Sequence, residues 1–568
     1  MDNNAGRIEE SGDADHKRKK RNMGRAEWSR QMVDKRARND EQNETKRRKL
    51  ENGEEVSAPI YATHFSQEDI ESEQRRPKKK VAVLIGYAGT GYHGMQLSDK
   101  EKTIEGDLFA AFVAAGAISK ANAADPKKSS LVRCARTDKG VHAAGNVVSL
   151  KLIVEDPDIV KKINEQLCPQ IRVWDVQVTN KGFSCYQMCD SRVYEYLIPS
   201  YCFLPPHPST YLGRKIVELA EKEGDLEGLK ARQEEVATYW NDIDNERIKP
   251  ILESLPDDIR KLVEKALYFD EEKAAESESA DQKEEPQQTS GQTATAETDA
   301  EEEARRRRIY EAVKQVKTAY TEAKRAYRIP SIRLDRLQAT LDKYIGTNNF
   351  YNYTIQKTHG DPSAKRYIKT FQVDRNSILI NGTEWLSLKV HGQSFMMHQI
   401  RKMVAMATML VRAGGDPARI VESYGPTKIA VPKAPGLGLL LERPIFDGYN
   451  KKATTTLGKD PIDFSKYEKE INEFKQREIY DRIFREEEQA NAFSVFFNHI
   501  DHFSQETFLY VTSGGVAASA QPNPPTDGTE AEQKEVGQGT TKSRKEALAA
   551  VEAESDDEQA NPNGEEGG

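Results

Sequence analysis

The sequence predicts an α+β fold, on three observations. Lys80-Val81-Ala82-Val83-Leu84-Ile85-Gly86-Tyr87 is a nearly continuous apolar run, the pattern of a central strand covered on both faces. Ile104, Leu108, Phe112 and Ala115 then repeat at helical spacing behind Thr103, a capping residue, and Val160, Ile163 and Leu167 form a second stripe stopped by Pro169. Strands read around Val147, over residues 171–178 and over residues 191–199 alternate with these helices.

Between the first helix and its next strand lies Ala135-Arg136-Thr137-Asp138-Lys139-Gly140-Val141-His142-Ala143. It carries one carboxylate, with an arginine two residues earlier, between the strand end Leu131-Val132-Arg133-Cys134 and a run in which Val148, Leu150 and Leu152 alternate. Strands held by a core can fix a loop carboxylate in a way that a free surface loop cannot, which makes Asp138 the candidate functional residue. Asp-Lys-Gly is also good turn chemistry, so spacing alone leaves an ordinary turn as the alternative. Farther on, Arg192, Tyr194 and Tyr196 stand at i, i+2 and i+4 and share one strand face. Such a row either stacks a base and contacts a phosphate or packs as a half-buried strand.

Residues 206–330 read as a helical insertion, with pieces such as 251–267 around an acidic linker over 270–304 too rich in Glu, Gln, Thr and Ala to fold. After it Arg305 opens a basic helix in which Tyr320, Lys324 and Tyr327 share a face, either against RNA or toward solvent. A second half spans 331–450. Leu334, Leu337, Leu341 and Ile345 mark its first helix, strands over 369–373 and 378–390 follow, and Asn381-Gly382 predicts a hairpin turn. A helix over 394–412 directs Met397, Ile400, Val404 and Val411 to a core and stops at Gly414-Gly415, and a strand is expected over 436–441. Residues 451–512 form a charged helical extension from which no chemistry is read. Residues 1–78, with basic clusters at 17–21, 46–49 and 75–80, and the acidic stretch 513–568 read as disordered. Basic runs of this kind serve nuclear import or bind nucleic acid.

A net charge of −8 argues against a nucleic-acid partner until it is located. Residues 1–80 carry +3, 270–304 carry −11 and 515–568 carry −8, which leaves +8 on the part expected to fold. A surface that tracks phosphates needs such a balance. The five cysteines, at 134, 168, 185, 189 and 202, are odd in number and lack a Cys-x-x-Cys pair, so neither a disulfide framework nor a zinc site is indicated. The longest apolar stretch, 403–411, is too short to cross a bilayer, and a soluble intracellular protein is expected.

Residues 136–143 resemble the catalytic loop of the TruA family of tRNA pseudouridine synthases, Arg-Thr-Asp-x-Gly-Val-His-Ala. Gly86-Tyr87-Ala88-Gly89-Thr90-Gly91-Tyr92-His93-Gly94-Met95-Gln96 is similar to the family's opening loop, and Arg192-Val193-Tyr194-Glu195-Tyr196, the segment 395–403 and Gly436-Leu437-Gly438-Leu439 to its later motifs. The likeness spans roughly residues 79–450 and points to the eukaryotic, nuclear, multisite branch.

The resemblance implies two similar half-domains, 79–205 and 331–450, whose antiparallel sheets join around a central basic cleft. It implies isomerisation of uridine to pseudouridine in tRNA, chiefly around the anticodon stem, with small nuclear and messenger RNAs as further candidates. Asp138 would act at the sugar, as nucleophile or proton abstractor. Tyr194 would lie against the target base, Arg401 would reach across to keep Asp138 ionised, and Arg136 would hold the flipped nucleotide's backbone, with Arg192 and Tyr196 as further substrate contacts. No cofactor is implied, because the departing uracil is itself the group that reattaches. The nucleus is the expected location, and the oligomeric state is left open, with a monomer allowed by the insertion. Two other classes stay in view: a noncatalytic RNA-binding or chaperone module, and a glycosidic hydrolase, which would want a second acid that the sequence does not offer.

Overall fold

A computed structural model describes residues 59–268, 296–355 and 357–519. The basic clusters at 17–21 and 46–49, most of the acidic linker and the tail from residue 520 lie outside the described residues.

The first half contributes β1 (Lys79–Tyr87), β2 (Val132–Arg133), β3 (His142–Leu152), β4 (Ile171–Val178) and β5 (Ser191–Pro199), with helices α1 (Ile104–Ala114) and α2 (Ile159–Gln166). The second contributes β6 (Gly346–Asn349), β7 (Lys365–Val373), β8 (Ile378–Ile380), β9 (Thr383–Gly392) and β10 (Leu439–Ile445). All ten strands of the described residues form one sheet, in the order β4-β1-β3-β10-β5-β9-β7-β6, with β2 on β3 and β8 on β9. Each half gives its last strand to the other: β10 lies against β3 and β5 against β9, while β5 and β10 pair with each other. The expected antiparallel join therefore has one exception. β10 meets β3 in parallel over only two register positions, Leu440 with His142 and Leu441 with Ala143.

The strand predictions hold where apolar runs are long. From Val81 onward β1 is buried on both faces. Asn381 and Gly382 take φ values of +47° and +78°, the two positive angles of a type I′ hairpin turn. The helix α3 (Ala296–Ala326) starts within the stretch read as linker, and the face expected to meet RNA or solvent instead packs inward. Tyr320 donates to Asp244 at 2.6 Å, and Tyr327, just beyond the helix, is buried. It is followed by α4 (Ser331–Asp342) and α5 (Gln399–Ala413). α5 begins five residues later than expected, and Met397, assigned to the core, is 54% exposed.

Two segments read as peripheral belong to the core. Residues 59–78 carry a short helix, Gln67–Ser72, and Tyr61 and Phe65 pack on the core, with the Tyr61 ring edge-on to Phe109. Polar neighbours masked those two anchors in the sequence. The extension after residue 450 includes α6 (Asp481–Ala490) and α7 (Ala492–His502), and Phe474, Ile483, Phe493, Phe497 and Tyr510 are buried in the same cluster as β1 and β5. Its Lys475 is buried and donates to Glu195 of β5 at 3.1 Å and to Glu442 of β10 at 2.8 Å. Ser387 and Tyr480 complete the shell of Glu195 by donating to its carboxylate. One cation thus bridges the two exchanged strands.

Candidate active site

The loop before β3 is held on both sides by its own half. The Tyr87 hydroxyl lies 2.9 Å from Thr137 Oγ1, and Asn146 Nδ2 donates to Tyr87 at 3.2 Å and to the Ala135 carbonyl at 3.1 Å. From the opening loop, Met95 N donates to Thr137 O at 3.2 Å. Asp138 starts a turn closed by Val141 N to Asp138 O at 3.1 Å, in which Gly140 takes the φ of +75° that a type II turn requires at its third position. The turn of the bland alternative is real, and it aims Asp138 at the other half-domain.

What meets Asp138 there comes from α5 and the loop before β10. His398 Nδ1 lies 3.3 Å from Asp138 Oδ2, with side chains 7% and 27% exposed. Burial alone would push the Asp138 carboxyl up, but His398, then Arg401 and Lys433, hold it below the ordinary carboxylate value. Arg401 is fully buried and is aimed by its Nε donating to the Ala434 carbonyl at 2.6 Å. Gly436 lies over its guanidinium, where a Cβ would come within 3.4 Å.

Of the residues singled out from sequence, Asp138, Tyr194 and Arg401 meet at this junction. Tyr194 is 8% exposed, packs edge-on to Phe395 at 5.3 Å, and has its hydroxyl pushed up in pKa by burial. Arg136 is exposed on the same loop. Two others are corrected. Arg192 is buried and donates to the Cys134 carbonyl at 2.8 Å, so it braces the strand before the Asp138 loop rather than meeting a phosphate. Tyr196 is fully buried, donates to the Pro435 carbonyl at 2.6 Å and packs on Phe493, so no face is free for a base. The alternation along β5 is as expected, and for Arg192 and Tyr196 the packed strand is the one of the two readings that is found, because the strand is interior to the sheet and the extension covers it. Sequence reading missed His398 and Lys433. For His398 a signal existed, a histidine three residues before Arg401, but a helix drawn from residue 394 absorbed it.

Beside the loop a groove of about 610 Å³ opens, where Lys102 and Lys139 stand with Glu101 and Glu486 around Tyr92, Leu437 and, from the extension, Phe496.

A family model described as tRNA pseudouridine synthase matches residues 341–447, which contain α5 and the whole of β10; the class is that of RNA pseudouridine synthases, which are isomerases. A tRNA pseudouridine synthase 1 of Eremothecium gossypii is 46% identical over 438 residues, covering 77% of this chain and 76% of that one. Its counterpart in Schizosaccharomyces pombe is 41% identical over 494 residues, 81% of this chain and 90% of the other. A tRNA pseudouridine(27/28) synthase of Saccharomyces cerevisiae is 34% identical over 427 residues, 74% and 99% of the two. The chain belongs to the tRNA pseudouridine synthase family.

Proposed function

We propose that this protein isomerises uridine to pseudouridine in tRNA, chiefly around the anticodon stem, with Asp138 acting at the sugar of a flipped-out nucleotide. The observation that carries this reading is the convergence at Asp138: a carboxylate of one half kept ionised by His398, Arg401 and Lys433 of the other. An ionised carboxylate at this junction can attack carbon 1′ or remove a proton from the sugar, and either route breaks the glycosidic bond and frees uracil to turn and rejoin through carbon 5, whose proton is released as the new bond forms. Extruding the nucleotide costs a few kcal/mol, offset by stacking and phosphate contacts. Tyr194, beside the carboxylate, faces the base, and Arg136 holds the backbone. Nothing at the site favours the noncatalytic module, for which a half-buried carboxylate facing His398, Arg401 and Lys433 has no use. The hydrolase reading likewise lacks its second acid.

The deciding experiment is tritium release from carbon 5 of labelled uridine in tRNA by Asp138→Asn, alongside binding of the same RNA. Asparagine keeps volume and most hydrogen bonds but removes charge and nucleophilicity, so release falls to background while affinity stays within about twofold. Turnover near the wild-type rate would return Asp138 to the role of a turn residue. Small nuclear and messenger RNAs are further substrates in this proposal, and mapping pseudouridine in cells lacking the protein tests them. The basic clusters at 17–21 and 46–49 support a nuclear location. Removing residues 1–58, which spares the packed segment from Pro59, should move the protein to the cytoplasm; a truncated protein that stays nuclear would refute this.

A further inference from the structure

His398 precedes the first residue of α5 with φ +60° and ψ 0°, a left-handed backbone that glycine and asparagine adopt far more readily than histidine. Its side chain does not cap the helix. It is instead 7% exposed and turned to Asp138, and among the described residues the buried Nδ1 has no other hydrogen-bond partner than the carboxylate it approaches at 3.3 Å. A strained backbone and a buried polar atom each carry a cost, and both are accounted for by the one contact the side chain makes.

We infer that His398 is a positioning residue for the reaction: its imidazole holds Asp138 Oδ2 so that Oδ1 alone is presented to the sugar. Neither Arg401 nor Lys433 can take this part. Arg401 is aimed by the Ala434 carbonyl and lies farther along α5, and Lys433 comes from the loop before β10. Without His398 the carboxylate keeps its neighbouring cations but loses its fixed orientation, and with it one source of the attraction that keeps it ionised. The titratable and charged groups facing Asp138 are His398 and Arg401 on or beside α5, Lys433 before β10 and Tyr194 on β5.

The inference rests on the catalytic reading of Asp138, and the test separates the two. His398→Gly relaxes the backbone, because glycine takes the left-handed conformation without strain. It should melt close to wild type and bind tRNA with KM within about twofold, while single-turnover release slows about 100-fold, the effect of a reacting group misplaced by about 1 Å. Added imidazole should restore part of the rate. The acid limb of the rate profile should move to higher pH, as expected when an attractive neighbour leaves a carboxylate. His398→Asn, which suits the same backbone and keeps one N–H donor, should stay within about tenfold of wild type and not respond to imidazole. It decides the matter if the glycine variant proves unstable. A glycine variant with wild-type rate, or one whose loss lies in KM and melting temperature with an unmoved acid limb, overturns the role of His398. An active Asp138→Asn would instead overturn the reading beneath it.

Discussion

Replacing Lys475 by methionine removes the one cation that sits between Glu195 and Glu442, some 30 to 280 residues away in sequence, and leaves both carboxylates in place. Methionine fills similar volume, so the loss is electrostatic. Taking one partner from a buried ion pair costs about 3–5 kcal/mol, because the remaining charge stays desolvated. Glu195 keeps its hydrogen bonds from Ser387 and Tyr480, and Glu442 is partly exposed, which places the expectation near the lower figure. At about 2 °C per kcal/mol for a domain of this size, the melting temperature should drop by roughly 6 °C. The pH dependence has a definite sign. In the wild type, burial pushes the Glu195 carboxyl up, but Lys475 and the hydrogen bonds hold it below its ordinary value, so its contribution is present above the unfolded carboxylate pKa and lost on acidification. Without Lys475 burial prevails and the folded protein prefers the protonated acid. The deficit of Lys475→Met should therefore be largest at neutral pH and shrink toward pH 5, and adding Glu195→Gln should recover at least half of it. Thermal melts of the four proteins of this cycle between pH 5 and 8 make the measurement. A single variant melting within about 1 °C of wild type, or a double variant no better than the single, would refute the reasoning.

Glu487 behaves in the opposite sense. Burial pushes its carboxyl up to about 7, despite hydrogen bonds from Tyr201 and the Phe493 amide, so the folded state prefers the acid and its stability contribution is lost as pH rises through that value. Glu487→Gln keeps an acceptor and should leave the melting temperature unchanged at pH 5 while raising it by about 2–4 °C at pH 8, readable by calorimetry. At Gly94, φ is +91° and a Cβ would lie 2.9 Å from the Thr137 carbonyl, one residue before Asp138. Gly94→Ala should displace the Asp138 loop and slow single-turnover release about 100-fold with a smaller change in tRNA affinity, measured on the same preparations.

What could be read from the sequence depended on whether the deciding contact was local. The β1 run, the Asn381-Gly382 hairpin and the Asp138 turn announce themselves through neighbours a few residues away, and each is found where expected. The fate of β5 was not local: Arg192 and Tyr196 share a face with Tyr194 as the period requires, but their burial is decided by Cys134, Pro435 and Phe493, 58 to 297 positions distant. Lys475 illustrates the same limit, since a lysine within a charged run reads as solvated until two carboxylates on separate strands are found around it. His398 was hidden differently. Its place before α5 depends on a left-handed backbone angle that a histidine rarely adopts, and a continuous helical pattern through Met397 runs over it.

The exchange of β5 and β10 has a consequence for how the chain is made. While synthesis has not passed residue 445, β3 and β5 each lack the neighbour that β10 supplies, so the growing polypeptide carries two open sheet edges at its centre. The lysine that joins those strands from the extension emerges a further thirty residues later. A nascent chain stalled in this window is an incomplete barrier against edge-to-edge pairing with its neighbours on the same message. Premature termination anywhere before β10 should accordingly yield aggregates rather than a shortened, weakly active enzyme.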